Sequence, residues 1–236
     1  MKNFSPNKKI SILIPVYNEE KTIEEILKRV LKETERWNKE IIIVNDGSID
    51  KTSEKLKKFL DKITLIDLEK NRGKGFALRE GFKRASGKII ITQDADLEYD
   101  PKDYQKLLTP ILGGKTKIVY GSRNLNPENR PSSKTYLYGG KLITAIFNFL
   151  FRTKLTDINT GYKVFEKDIL DDISLKENGF SFCEEFTVQV IKNNLSILEV
   201  PISYRGRSFF EGKKLRWYHG LRSILVIFTQ YFSKNV

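Results

Sequence analysis

Two hydrophobic periods alternate along the first half of the chain. Ile10-Ser11-Ile12-Leu13-Ile14-Pro15-Val16 is an almost unbroken β-branched run, the pattern of a strand covered on both faces. From Lys21 to Thr34 the apolar positions Ile23, Ile26, Leu27, Val30 and Leu31 recur at helical spacing. The same exchange continues, with strands predicted at Glu40–Asn45, Ile63–Leu68, Lys88–Gln93 and Lys117–Tyr120. Helices are predicted between them at Lys51–Leu60, Gly75–Ala85 and Pro101–Leu112, the last with proline in its first turn. This succession predicts an α/β fold with a mostly parallel central sheet and helices on both faces. The second half is less regular. It predicts an apolar helix over Tyr136–Phe151, a short strand Tyr162–Phe165, a helix Cys183–Lys192, a strand Ile197–Val200, a basic loop Pro201–Leu215 and a helix Trp217–Phe232.

In such sheets ligands bind beyond the carboxyl ends of the strands. Here those ends carry Tyr17-Asn18-Glu19, Asn45-Asp46-Gly47-Ser48, Gln93-Asp94-Ala95-Asp96 and Gly121-Ser122-Arg123. The third is the most informative. A buried strand cannot hold unpaired carboxylates, so the chain must deliver Asp94, Asp96 and Glu98 to an edge. In extended chain these three acids point the same way and converge. Clustered carboxylates repel unless a cation sits among them, and all-oxygen ligands suit Mg²⁺ or Mn²⁺ with substrate phosphates. A solvated acidic turn is the plain alternative.

Composition narrows the picture. The chain has 236 residues, 39% of them hydrophobic, enough for one large domain. A lone cysteine, Cys183, excludes an intrachain disulfide framework and reads as a small core residue. Met1 to Lys9 is polar, so no secretory signal is expected, and no apolar run reaches a bilayer span. The net charge of +12 points to an anionic partner, although solvated lysines such as Lys55, Lys57, Lys58 and Lys62 account for part of it. Arg123, Arg130, Lys134, Arg152, Arg205, Arg207, Lys213, Lys214, Arg216 and Arg222 gather in the second half, near aromatic residues.

Some motifs are ambiguous alone. Asp46 fits a turn or helix cap as well as a nucleoside contact. Asn71-Arg72-Gly73-Lys74-Gly75 lacks P-loop spacing, yet a lysine at a helix start suits phosphate. Read in order, however, Ser11–Glu20, Val44–Ser48, Asn71–Gly75 and Gln93–Glu98 closely resemble the nucleotide-sugar domain of family 2 glycosyltransferases. The continuation through Val119–Arg123, Asp157–Phe165, Glu185–Thr187, Val200–Tyr204 and Arg207–Lys214 resembles the polyprenyl-phosphate hexose synthases, the dolichyl-phosphate mannose and glucose synthase-like enzymes. The resemblance spans about Lys9 to Leu225.

That resemblance implies a GT-A (Rossmann-like) fold, expected over residues 1–215; the residue pattern of 216–236 adds the expectation of an amphipathic membrane-associating helix. It implies inverting, metal-dependent transfer of a hexose from a nucleotide sugar of the GDP-mannose or UDP-glucose type to a dolichyl or undecaprenyl phosphate. Pro15, Tyr17, Glu19, Val44, Asp46, Lys74, Gln93, Asp94, Ala95 and Asp96 are the implied donor site. Asp94 and Asp96 are the implied ligands of Mg²⁺ or Mn²⁺, with Glu98 as a third. Many relatives carry glutamine at that last position, so Glu98 makes the site more anionic. Arg123, Arg207 and Lys213 are expected on the phosphates of donor and acceptor. Asp96, Arg123, Asp157, Lys163 and Glu185 form the expected catalytic set. Asp157 and Glu185 are expected to orient Lys163, the sugar or the arginines, because a phosphate acceptor is largely dianionic at neutral pH and needs no base. The sole histidine, His219, is expected to pack or lie at an interface.

Trp217, Leu221, Ile224, Leu225, Phe228, Tyr231 and Phe232 recur at helical spacing after the basic loop, as in an interfacial helix on anionic lipid. A core-covering helix is the alternative. The Tyr136–Phe151 segment is a second candidate. Many relatives carry transmembrane helices beyond this point. The expectation here is a peripheral protein on the cytoplasmic face of an anionic membrane, with a membrane-protein partner or self-association. Two other readings compete: transfer to a saccharide hydroxyl, which needs a base, and a non-enzymatic nucleic-acid or anionic-surface module. The last leaves Asp94 and Asp96 unexplained, and nucleic acid is not expected as a partner.

Overall fold

The computed structural model describes residues 8–207, 212, 214 and 216–233. Its centre is a seven-stranded sheet in the order β3-β2-β1-β4-β6-β5-β7. The strands are β1 (Ile10–Val16), β2 (Lys39–Asn45), β3 (Thr64–Asp67), β4 (Ile89–Thr92), β5 (Ile118–Ser122), β6 (Lys163–Glu166) and β7 (Ile197–Pro201). The helices are α1 (Ile23–Glu33), α2 (Thr52–Leu56), α3 (Lys74–Arg84), α4 (Tyr104–Leu112), α5 (Lys134–Phe151), α6 (Phe182–Lys192) and α7 (Trp217–Phe232). Every strand and helix expected from periodicity is present. Two predicted helices are shorter than expected because 3-10 turns occupy Lys57–Phe59 and Pro101–Asp103, and a third such turn, Lys167–Asp171, follows β6.

β1, β2, β3 and β4 are parallel, and β7 runs parallel to β5. β6 is the exception. It runs antiparallel between β4 and β5, with Ile91 opposite Val164 and Tyr120 opposite Lys163. This reversal matters for the site, because the amino end of β6 lies beside the carboxyl ends of its neighbours. The loop before β6 is thereby delivered to the same rim as Asp94 and Arg123.

The β-branched runs explain the sheet, since both faces are covered. Ile10, Ile12, Ile14, Ile41, Ile43, Ile89, Ile91 and Val119 pack against α1 and α4 on one side. Leu13, Ile42, Val44, Ile90, Ile118 and Phe165 pack against α3 and α6 on the other. A third cluster joins α5, α6 and α7 through Ile143, Phe147, Val188 and Ile227.

α7 departs from a simple one-stripe helix. Val226 and Ile227 face inward, yet Trp217, Tyr218, Leu221, Leu225 and Phe232 are all more than half exposed. α5 adds exposed Tyr138, Leu142 and Phe149. No helix among the described residues is long and apolar enough to cross a membrane.

Candidate active site

The chain leaves β4 as the sequence requires, but not as extended chain. Asp94 emerges after the buried Thr92 and Gln93, and the backbone then turns, with Leu97 in the left-handed region at φ 62°. The turn breaks the alternation that would have aligned three acids. Asp94 and Asp96 stay at the rim, each held by one cation. Lys74 Nζ lies 2.5 Å from Asp94 Oδ1. Arg207 donates from Nη2 to Asp96 Oδ2 over 3.1 Å.

Glu98 is committed elsewhere. Its carboxylate accepts from the Tyr204 hydroxyl (2.6 Å) and the Arg207 N–H (2.8 Å), and its carbonyl accepts from the Arg205 N–H (2.9 Å). It anchors the strand-like segment after β7, where Tyr99 bridges Tyr204. No three Asp, Glu, His or Cys side chains converge on one metal position among the described residues. Leu97 turns Glu98 away, so that only Asp94 and Asp96 of the three acids stay near each other at the rim.

Burial and neighbouring charges set the electrostatics of the pair. Burial, then repulsion from Asp94 and Glu98, pushes the Asp96 carboxyl up to about 7 despite the opposing Arg207. Two carboxylates plus substrate phosphates form the usual oxygen set of Mg²⁺. For Lys74, burial works against the charge, but Asp94 outweighs it and the ammonium is held firmly protonated.

Arg207 is also locked to Glu19, at 3.0 and 3.1 Å from its two terminal nitrogens. Its buried Nε makes no hydrogen bond and lies 3.8 Å from Glu98. Lys214 reaches the same region, bonding Glu19 and the carbonyl of Tyr17. Lys213 lies outside the described residues.

Arg123, just past β5, forms a two-pronged ion pair with Asp157 through Nε and Nη2, both at 2.7 Å. Asp157 is buried, and the Glu199 carboxylate accepts its N–H over 2.9 Å. The loop before β6 completes this corner. Gly161 donates its N–H to the Tyr99 hydroxyl over 2.9 Å, and a Cβ on Gly161 would overlap Asp94 Oδ2. Gly161→Ala is expected to displace Asp94 from Lys74 while leaving the sheet intact. Metal affinity measured by calorimetry should fall about tenfold, with little change in melting temperature; an unchanged affinity would mean Asp94 moves freely.

Several expected residues have other work. Asp46 is buried and accepts from the N–H groups of Arg72 (2.8 Å) and Gly73 (2.7 Å), so it shapes the loop that presents Lys74. Pro15 and Tyr17 remain partly open beside Glu19. Asn18, at φ 48°, ties this loop to Ser48 and Ile49. Val44 and Ala95 have buried side chains in the core, leaving only backbone for a donor. Gln93 is buried, its carbonyl oxygen held by the Tyr104 and Tyr162 hydroxyls at 2.7 Å each.

Lys163 and Glu185 are not open groups of the rim. Lys163 is buried over the Tyr120 ring, donates to Ile158 O over 3.0 Å, and is pushed down to about 8 by burial. It braces the Asp157–Gly161 loop from beneath. Glu185 accepts from the N–H groups of Lys176 (2.9 Å) and Glu177 (2.8 Å) and from Gln230 of α7 (3.1 Å). Its neighbour Glu184 is fully buried, bonded to Asn159, and pushed up to about 7 by burial. Sequence reasoning missed Glu199, Tyr204 and Tyr99, whose contacts are all long-range. Tyr204 sat within a quoted motif, but nothing local marked its partner.

The doubly covered α/β sheet, with acids, a helix-start lysine and arginines on one rim, has the GT-A type of fold. The chain belongs to glycosyl transferase family 2, whose model matches residues 11–174. It is 34% identical over 221 residues to the UDP-N-acetylglucosamine–dolichyl-phosphate N-acetylglucosaminyltransferase of Methanococcus voltae, covering 83% of this chain and 85% of that protein. It is 30% identical over 217 residues to the dolichol-phosphate mannosyltransferase of Pyrococcus furiosus, covering 88% of this chain but 60% of that longer protein. Among solved structures, glucosyl-3-phosphoglycerate synthase from Mycobacterium tuberculosis, with Mn²⁺, UDP and phosphoglyceric acid, superposes with a TM-score of 0.75. That match has 17% identity over 97% of this chain and 80% of the other, a likeness of fold.

Proposed function

We propose that this glycosyltransferase moves a hexose from a nucleotide sugar to a polyprenyl phosphate, with inversion and with a divalent cation. The observation that carries this reading is the state of the two candidate bases. Asp157 spends both oxygens on Arg123, and Glu185 spends both on backbone amides. A saccharide hydroxyl would need one of them to take its proton. A phosphate monoester, with a second pKa near 6, attacks as a dianion and needs neither.

In this mechanism Pro15, Tyr17 and Glu19 line the nucleoside side, Lys74 meets the donor diphosphate, and Asp94 and Asp96 hold the cation. The cation supplies Lewis-acid neutralisation of the leaving diphosphate. Arg123 and Arg207 meet the acceptor phosphate, whose oxygen forms the new bond to C1. The C1–O bond to the donor's β-phosphate breaks, and the nucleoside diphosphate leaves with the electron pair. No proton moves.

The exposed aromatic and aliphatic side chains of α5 and α7 support docking on a membrane surface, where the polyprenyl tail resides. The names of the archaeal relatives support the acceptor class. The test is transfer from radiolabelled GDP-mannose, UDP-glucose or UDP-N-acetylglucosamine to a short-chain polyprenyl phosphate in detergent, with Mn²⁺ or Mg²⁺. Label is expected in the lipid phase from one donor, and EDTA is expected to abolish it. Label passing only to added saccharides would overturn the phosphate acceptor.

A further inference from the structure

Lys74 is the first residue of α3, so its reach to Asp94 depends on what holds the first turn of that helix. The loop 176–181 does. Gly73 and Gly75 let its carbonyls come close: a Cβ on either residue would overlap Asn178 O or Glu177 O. Phe76 donates its N–H to Asn178 O over 3.1 Å. Arg79 donates to Glu177 O and, over 2.5 Å, to Asn178 Oδ1. Such tight contact transmits displacement, since neither side has room to yield.

The other side of this loop is fastened to α7. Arg222 donates to the Glu177 carboxylate from Nη2 over 2.8 Å and from Nε over 3.3 Å. Ser181 donates to the same carboxylate over 2.6 Å. His219 packs edge-on against Phe180 at 4.9 Å, and Gln230 reaches Glu185, which holds the amides of Lys176 and Glu177. One short loop therefore lies between the helix with the exposed apolar face and the lysine paired with Asp94.

We propose that Glu177 is a positioning residue for donor binding. By gripping Arg222 it sets the loop, the loop sets the first turn of α3, and that turn sets Lys74 on the donor diphosphate. This rests on the nucleotide-sugar reading of the site. It ties the seating of α7 to the grip on the donor.

The test is a double-mutant cycle read by calorimetry, with GDP and UDP each titrated in the presence of Mn²⁺, beside steady-state transfer. Arg222 is more than half exposed, so Arg222→Ala is expected to fold normally and shift melting little. Arg222→Ala and Glu177→Gln are each expected to weaken nucleoside diphosphate binding about three- to tenfold. The acceptor KM should stay within about twofold. In a Lys74→Ala background neither change should weaken binding further, because residues acting through one partner are not additive. Equal losses with and without Lys74, or no loss from either substitution, would overturn the proposal. A wild type that binds neither nucleotide would defeat the donor-site reading itself, and this inference with it; wild-type binding with additive losses defeats the positioning role alone.

Discussion

Asp96→Asn is expected to lower kcat/KM for transfer by about 10³-fold, the loss that follows from the proposed role of Asp96 in holding the cation on the leaving diphosphate. The wild-type protein carries a second signature of the same residue. Its carboxyl is pushed up to about 7, first by burial and then by Asp94 and Glu98. A cation binding there must displace a proton, so Mn²⁺ affinity falls about tenfold per pH unit below that value and levels above it. The sign for stability is opposite to that of an ordinary paired carboxylate. Between about 4, the unfolded value, and about 7, the native state binds the extra proton. Stability without metal therefore declines as pH rises through this window, and saturating Mn²⁺ offsets the decline. Calorimetry and thermal melting at pH 5 to 8 check both halves. A flat Mn²⁺ affinity across that range would mean that Asp96 is ionised throughout.

Arg123→Ala is expected to lower kcat/KM for the acceptor by about 10²- to 10³-fold, the effect of removing a donor aimed at a reacting anion. Arg123→Lys should recover little, because an ammonium cannot make the two-pronged contact that the guanidinium makes with Asp157. Asp157→Asn keeps the shape but removes the charge that orients the arginine. Its loss should be smaller, about 10- to 100-fold, and without a change in the basic or acidic limb of the pH profile. Steady-state kinetics with acceptor varied at several pH values measures both. A loss near 10⁴-fold with disappearance of one limb would make Asp157 a true base and favour a hydroxyl acceptor.

Hydrophobic period legibly fixes local structure here, because covered strands and surface helices differ in which positions must be apolar. The β-branched runs ending at Asn45, Gln93 and Ser122 also identified the functional rim, since strands buried on both faces cannot carry charge except at their ends. Asp94, Asp96, Lys74, Arg123 and Arg207 are placed together at that rim in the fold. The direction of Glu98 was not legible, because alternation assumes extended backbone and one left-handed residue, Leu97, ends it. The surroundings of Glu185 and Lys163 were not legible for a different reason. A motif names the residue but not the distant amides and rings that use up its polar atoms.

The sequence by itself determined the α/β architecture, the acidic strand end and the basic second half, all properties of residue type and near-neighbour spacing. Tertiary structure alone decided that β6 runs against its neighbours, bringing Gly161 under Asp94 and Asp157 onto Arg123. It alone decided that Arg207 crosses from Asp96 to Glu19, 188 positions away in the chain. Such pairings are set by the closure of the whole sheet, whose energy comes from burying both faces at once, and no local stretch carries that information.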